Sequence, residues 1–192
     1  MTLKIESKLV ENISIRTPQG DVIKLILDED GEHSGRATVV LYDLTGSYYW
    51  SAMGKPIKEF IISTPTSYLI GKLFQTEAKL PDEDGNAFIQ KIYKEYKAEI
   101  KSSFFAEDKK EREKNRDLLR YAFDYLKDNE VSPELLYHNE NLSNLLIELC
   151  GDEWYLLDLQ PEKENHVYTY QKNGIDLIKT ALKQLEAESI PA

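Results

Sequence analysis

Residues 45–74 read TGSYYWSAMGKPIKEFIISTPTSYLIGKLF, and the apolar periodicity of the chain changes within this stretch. The aromatic run Tyr48–Trp50 continues a β-like pattern, whereas the apolar residues of IKEFII follow helical spacing. Pro56 suits the first turn of this helix, and a second helix is predicted over TPTSYLIGKLF. We therefore expect this stretch, here called the joint, to connect a sheet to a set of helices.

The residues before this joint have strand character. Ile13 and Ile15 alternate with polar residues, and Val22, Leu25 and Leu27 follow beyond a PQGD turn, which predicts a β-hairpin. The β-branched run RATVVLYDL is predicted to be a strand that continues into GSYYW. Residues 2–52 are therefore predicted to form a twisted antiparallel sheet of three to five strands with one buried face.

The rest of the chain has mainly helical patterns. Apolar residues recur every fourth position through NAFIQKIYKEYKAEIKSSFF, which predicts one helix. SPELLYHNENLSNLLIELCG predicts two short helices, the second ended by Gly151, and GIDLIKTALKQLEAE predicts a last helix. EWYLLDLQP is predicted to be a strand or an extended segment, and HVYTYQ to lie in a polar loop.

Length and composition favour a single domain. A chain of 192 residues can bury one substantial core, whereas two domains would each be marginal. The predicted fold class is α+β, with an N-terminal antiparallel β-sheet (residues 1–52) packed against a mainly helical C-terminal part (residues 53–192). Cys150 is the single cysteine, and the N-terminus lacks a signal-peptide pattern, so we expect a cytoplasmic protein that neither forms disulfides nor binds membranes.

The net charge of −10 is unevenly distributed along the chain. Asp and Glu outnumber Lys and Arg by 13 to 9 in residues 1–85 and by 10 to 4 in residues 140–192, while residues 86–139 carry 11 of each. This balance disfavours direct binding to nucleic acid, which requires a basic surface to displace counterions from phosphates. It favours a partner that is itself basic.

The sequence contains no recognisable catalytic or cofactor signature. DEDG and PDEDG resemble the start of a calcium loop, but the required glutamate is replaced by Val39 in one and Tyr93 in the other. The three histidines lack metal-ligand spacing, and the two Gly-Lys pairs lack the phosphate-binding pattern. We therefore predict no cofactor, no metal site and no enzymatic activity.

Three groups of residues are candidates for partner binding. The first two groups are the acidic turns and a pair of tyrosines; tyrosine suits recognition surfaces because it is rigid and amphipathic. The predicted contacts are Asp28, Glu29, Asp30, Asp82, Glu83, Asp84, Tyr168 and Tyr170. The segment KKEREKNR is predicted to be an exposed, salt-bridged helix. As an alternative, its cations form a nucleic-acid patch of Lys109, Lys110, Arg112, Lys114 and Arg116.

The joint also carries a resemblance to known proteins. An aromatic strand leads through a glycine turn into two helices and, much later, a tryptophan–tyrosine pair, at Tyr48, Trp50, Gly54, Phe60, Tyr68, Lys72, Leu73, Trp154 and Tyr155. This layout resembles a loose group of accessory proteins of bacteriophages and other mobile elements. The resemblance implies an inhibitor of host defence, such as an anti-CRISPR or anti-restriction protein.

The sequence thus leads to one first hypothesis and two alternatives. The first is a non-enzymatic inhibitor that binds a basic host defence protein or nucleoprotein complex through the acidic turns and exposed tyrosines. The second is a nucleic-acid-associated accessory protein that uses residues 109–116. The third is an enzyme without a recognisable motif, whose many carboxylates cannot be ranked from sequence.

Overall fold

The computed structural model describes residues 8–104 and 108–188; predictions that fall on residues 1–7, 105–107 and 189–192 lie outside the described residues. The chain divides into two compact units. The first, here the sheet unit, comprises Met1–Ala78 and Asn165–Ala192. The second, the helical unit, is Lys79–Glu164 and is inserted into the first. The predicted organisation as a single domain stays a prediction.

The sheet unit contains four antiparallel strands, each paired with its neighbour in sequence. They are β1 (Glu11–Arg16), β2 (Val22–Gly31), β3 (Ser34–Leu41) and β4 (Leu44–Trp50). Alternate residues of the central strands point into one core, as the pairing of Leu25 with Val39 and of Leu27 with Ala37 illustrates. The predicted N-terminal antiparallel sheet is confirmed.

Two details of the sheet differ from the prediction. The run RATVVLYDLTGSYYW is not one strand, because the chain reverses at Tyr42 and Asp43 between β3 and β4. Tyr42 has a φ of 55°, a conformation that is uncommon without glycine or asparagine, so the sequence lacks the usual hairpin signal. In addition, Asp28, Glu29 and Asp30 lie within β2 and not in a turn, which begins only after Gly31.

Three helices cover the buried face of this sheet: α1 (Ile57–Ser63), α2 (Thr66–Leu73) and α8 (His166–Glu188). Ile57, Ile70 and Ile178 are fully buried against the strand residues. The two helices predicted in the joint are confirmed. This part of the chain therefore connects sheet to helices, as expected.

Helix α8 begins earlier than predicted. The side-chain oxygen of Asn165 accepts hydrogen bonds from the backbone N–H groups of Val167 (3.0 Å) and Tyr168 (3.4 Å) and thereby caps the helix. Gly174, the first residue of the predicted helix, lies well inside α8, where a Cβ atom would come within 2.6 Å of the Leu41 side chain. The predicted polar loop HVYTYQ is thus the start of α8, and its placement as a loop was wrong.

The helical unit starts and ends in a short ladder, where β5 (Lys79–Pro81) pairs with β6 (Glu162–Glu164). Its helices are α3 (Gly85–Glu95), α4 (Lys97–Phe104), α5 (Lys109–Lys127), α6 (Pro133–His138) and α7 (Glu140–Cys150). They enclose a second core that includes Phe88, Ile92, Leu126, Leu142 and Leu146. In the described part of the chain, no helix is both long and apolar enough to cross a membrane.

Two predictions for the helical unit need correction. The single helix predicted over residues 86–105 is interrupted at Tyr96, whose ψ of 31° separates α3 from α4. The segment EWYLLDLQP is not a strand, because Trp154–Leu156 form a 3₁₀ turn before the chain extends. The two short helices before it and the end at Gly151, with a φ of 88°, are confirmed. The fold class α+β is confirmed.

Candidate interaction surfaces

The two units differ in net charge. The helical unit contains 21 Asp and Glu against 13 Lys and Arg, a net charge of −8, whereas the sheet unit contains 13 against 11, a net charge of −2. Along the sequence, the excess of acidic over basic residues lies at the two ends of the chain. Because the helical unit includes residues of both segments, the structure assigns most of the charge to one compact body.

Within the helical unit, five carboxylates converge at one place, here called the acidic edge: Asp82, Glu83, Asp84, Asp128 and Glu130. Two segments distant in sequence meet there. The backbone N–H of Val131 donates to the carbonyl of Glu83 (2.8 Å), and Asp84 forms a β-bridge with Glu130. Sequence reasoning found the first three residues but missed Asp128 and Glu130, whose proximity depends on tertiary packing.

Gly85 permits this close approach. A Cβ atom at this position would lie 1.7 Å from the backbone carbonyl oxygen of Leu126, a distance that no side chain tolerates. The preceding Asp84 caps α3, because its carboxylate accepts from the backbone N–H of Asn86 (3.0 Å). Capping of α3 therefore accounts for the presence of Asp84, but it does not account for Asp128 or Glu130.

The acidic edge surrounds an open depression of about 390 Å³. Lys127 and Lys163 also line it, and the Lys163 ammonium lies 3.4 Å from a carboxylate oxygen of Asp82. Glu83, Asp84, Asp128 and Glu130 are exposed. Asp128 stands at the C-terminal end of α5, where the helix dipole disfavours negative charge. We therefore expect its charge not to support the fold.

The other predicted acidic group belongs to the sheet unit. Within β2, Asp28 and Asp30 form ion pairs with Lys8 at 2.6 and 2.7 Å. The pKa of Lys8 is raised by Asp28 and then Asp30, and the pKa of Asp30 is lowered, first by its hydrogen bond from Lys8. These two carboxylates are thus partly neutralised, and only Glu29 of this group is without a described ion pair. The two acidic groups lie in different units.

The two predicted tyrosines lie on α8. Tyr168 is half-buried and packs against the core of the sheet unit. Tyr170 is 46% exposed and lies near Asp21, Asp43 and Tyr42 at the strand ends. Partial burial, followed by these neighbours, raises the pKa of the Tyr170 hydroxyl. Only Tyr170 therefore offers a largely free surface to a partner.

The basic segment forms the first two turns of α5, as predicted. Asp108 caps it by accepting from the backbone N–H of Lys110 (2.9 Å), and Lys109 lies 3.8 Å from Glu113. Helical spacing places the five cations on two sides, with Glu113 between them: Lys109, Arg112 and Arg116 on one side, Lys110 and Lys114 on the other. The cations therefore form an interrupted surface.

The third candidate surface, a recess lined by aromatic rings, was not predicted from the sequence. The rings of Tyr137, Trp154 and Tyr155 line a recess of about 210 Å³, here called the aromatic recess, which Asp158 also lines. The centroid of Tyr137 lies 5.5 Å from that of Trp154 and 6.2 Å from that of Tyr155. The pair Trp154 and Tyr155 was noted in the sequence only as part of the family resemblance, and Tyr137 gave no signal at all.

Comparison with known protein families finds a match. The model of a phage protein family covers residues 3–184, which include the whole helical unit and most of the sheet unit. The chain belongs to this phage family. No curated protein and no solved structure matches the phage protein. Across residues 8–104 and 108–188, no group of three or more His, Cys, Asp or Glu side chains is arranged to hold a metal ion.

Proposed function

We propose that this phage protein is a non-enzymatic inhibitor of a bacterial nucleic-acid-targeting defence complex, of the anti-CRISPR kind, that acts by binding a basic protein surface. The observation that carries the proposal is the convergence of five carboxylates at the acidic edge of the more acidic unit. Membership of a phage family supports it, because a phage gains from blocking host defence.

The physical basis is electrostatic complementarity. Proteins that handle nucleic acid carry basic grooves that neutralise phosphates, and such a groove attracts a cluster of carboxylates held at a fixed place. Complementary fields speed the encounter and orient the partners. The acidic edge would compete with nucleic acid for the same surface.

Exposure and ion pairing favour some candidate contact residues over others. Glu83, Asp128 and Glu130 are exposed and line one depression, so we propose them as the main contacts. Asp82 and Asp84 line the same depression and are proposed as supporting contacts. Asp28 and Asp30 are weaker candidates because Lys8 partly neutralises them. Tyr170 is a secondary contact and Tyr168 is not one, because it packs against the core.

Affinity capture tests this proposal. The tagged full chain is compared with an edge variant (Glu83→Gln, Asp128→Asn, Glu130→Gln), which keeps Asp84 because that residue caps α3. A control variant removes three exposed charges from the sheet unit instead (Glu32→Gln, Glu59→Gln, Glu186→Gln).

We expect the wild-type chain and the control variant to recover a nucleic-acid-binding defence complex from a host with a defined CRISPR system. Recovery should fall as salt is raised to about 0.5 M, where the Debye length is only a few Å. The edge variant should lose most of the recovery. Equal recovery with the edge variant, or none above background with the wild-type chain, would contradict the proposal.

Direct nucleic-acid binding through residues 109–116 is the alternative to exclude in parallel. Filter binding of single- and double-stranded DNA at low salt measures it, with a variant in which Lys109, Lys110 and Lys114 are replaced by Gln. We expect no salt-sensitive retention, because glutamates separate the cations. Retention that the variant loses would favour this alternative.

A further inference from the structure

The aromatic recess is built by two separate segments of the helical unit. Tyr137 comes from α6, and Trp154 and Tyr155 come from the 3₁₀ turn that follows α7. The planes of the three rings are inclined to one another by 47°, 52° and 79°. The rings therefore do not form one parallel stack but present faces in different directions around the opening.

Burial distinguishes the members of the recess. Trp154 is only 6% exposed and belongs to the core, whereas Tyr137 is 58% and Tyr155 is 51% exposed. Packing in the core explains the presence of Trp154, but it does not explain why the rings of Tyr137 and Tyr155 are exposed to solvent. Such clusters of tyrosine around a buried tryptophan are typical of the anchoring points of protein interfaces.

The volume of the recess, about 210 Å³, limits what it can hold. Sites for small-molecule ligands usually begin at roughly 300 Å³. A recess below that size, open at the surface, fits one side chain of a partner better than a free ligand.

The charge of the lining indicates which side chain. Asp158 is the single ionisable carboxylate among the described residues of the lining, and no lysine or arginine is among them. The Lys91 ammonium donates instead to the backbone carbonyls of Asp158 (2.7 Å) and Gln160 (2.8 Å), which fixes this segment without entering the lining. Asp158 therefore lines the same recess as the aromatic rings, on a backbone segment that Lys91 holds in place.

The tyrosines of the sheet unit show what such faces attract. The guanidinium of Arg36 lies 5.9 Å from the ring centroid of Tyr49, and the ammonium of Lys72 lies 5.8 Å from that of Tyr68. In the part of the chain that the structure describes, no cation is placed over Tyr137 or Tyr155 in this way. Their faces are available to a cation from outside.

We propose that the aromatic recess receives an arginine side chain of the basic partner, so this inference rests on the proposed function. The planar guanidinium would lie on the tyrosine faces while its N–H groups donate to the Asp158 carboxylate. Arginine suits the recess better than lysine because its flat, weakly hydrated group can stack and donate at the same time. A proline would use the aromatic faces but would leave Asp158 without a role.

The indole N–H signals of the full chain in ¹H–¹⁵N NMR test this proposal. The two tryptophans are Trp154 at the recess and Trp50 in the core of the sheet unit, which serves as an internal control. The probes are three ten-residue peptides that alternate glycine with arginine, lysine or glutamine, and a proline-rich peptide without charge. Asp158→Asn is compared with Asp152→Asn, a nearby exposed residue that does not line the recess.

We expect the arginine peptide to shift the Trp154 signal saturably and to leave the Trp50 signal in place. The lysine peptide should bind about 3-fold more weakly and the glutamine peptide should have no effect, because cation–π contacts and ion pairs at exposed sites are individually weak. Asp158→Asn should weaken binding by about 5-fold and Asp152→Asn by less than about 2-fold.

The outcomes separate this inference from the proposed function. If the arginine peptide shifts backbone signals at the acidic edge but not the Trp154 indole, the recess proposal fails and the proposed function stands. If only the proline-rich peptide moves the Trp154 signal, the recess binds a different partner chemistry and the proposal is overturned. If the arginine peptide moves neither set of signals, both proposals fail.

Discussion

The sheet unit and the helical unit are built on different principles. The sheet unit relies on alternating strand residues that face one core, and its charges nearly cancel, at 13 acidic and 11 basic residues. The helical unit relies on short helices around a second core and carries 21 acidic against 13 basic residues. Charge of this kind weakens a compact body through self-repulsion and is a feature of interaction surfaces.

Exposed tyrosines alone do not distinguish the units, because the described part of each has four of them that are well exposed. They differ in their surroundings. In the sheet unit Tyr49 and Tyr68 lie beside internal cations, whereas in the helical unit Tyr137 and Tyr155 contact other aromatic rings. An exposed tyrosine therefore indicates a site for a cationic partner only where the chain itself places no cation over its ring.

The largest expected effect tests whether the two units are energetically separate. Leu25→Ala in the sheet unit and Leu146→Ala in the helical unit each remove a fully buried side chain and should cost about 2–5 kcal/mol of unfolding free energy. Because each residue belongs to a different core, hydrogen exchange followed by mass spectrometry should accelerate only in the unit that carries the substitution. Acceleration throughout the chain by both variants would instead support a single domain.

The next effect concerns the contact that forms the acidic edge. Gly85→Ala should destabilise the helical unit by about 1–3 kcal/mol, because the new Cβ meets the immobile backbone of Leu126. Gly71→Ala is the matched control. Gly71 lies inside α2 with no atom within 4 Å of an added Cβ, so this change should stabilise by about 0.5–1 kcal/mol. Urea unfolding midpoints measure both, and equal effects would disprove the close approach at Gly85.

Alkaline pH should weaken the helical unit through Tyr96. Burial, together with its hydrogen bond with Cys150, raises the pKa of Tyr96 to about 12 from its usual 10.0. Between these values the unfolded chain loses this proton and the folded chain keeps it, so stability is present below pH 10 and falls as the pH rises toward 12. The slope should stay below about 1.4 kcal/mol per pH unit, the limit for one proton, because solvent partly screens this hydroxyl.

Unfolding free energies at pH 9, 10 and 11 check the role of Tyr96. Tyr96→Phe should flatten the fall of stability over this range, whereas Tyr93→Phe, at a tyrosine of the same unit that is 48% exposed, should leave it unchanged. The account of Tyr96 is wrong if both variants retain the wild-type slope.

The smallest effect concerns charge at a helix end. Asp128→Asn removes a carboxylate from the C-terminal end of α5 and should raise the unfolding free energy by about 0.3–1 kcal/mol at low salt. Asp108→Asn, at the N-terminal end of the same helix, should change it by only a few tenths of a kcal/mol because asparagine caps nearly as well. Thermal unfolding measures both. A loss of stability in Asp128→Asn would mean that this residue supports the fold.

The sheet and most helices could be predicted because local patterns determine them. Alternation at Leu25 and Leu27 and helical spacing in the joint both follow the period of the element they form. The errors have local causes as well. The reversal at Tyr42 lacks a turn glycine, and the Asn165 cap was hidden in a run of polar residues.

The candidate sites were less predictable because they are assembled by tertiary contacts. Asp84 meets Glu130 only because Gly85 lets two distant backbone segments approach each other. Tyr137 meets Trp154 only because the segment after α7 returns to α6. Spacing along the sequence carries no signal for either meeting, so the acidic edge was predicted in part and the aromatic recess not at all.

The most direct test of the central claim, that the acidic edge provides the binding function, is the plating efficiency of a phage targeted by a host CRISPR system. Hosts would express the wild-type chain, the edge variant or the control variant, each checked for equal abundance and thermal stability. We predict that the wild-type chain and the control variant raise plating by at least about 10-fold, whereas the edge variant does not, because loss of about 1.4 kcal/mol in binding already lowers affinity tenfold. Equal protection by the edge and control variants would contradict the account.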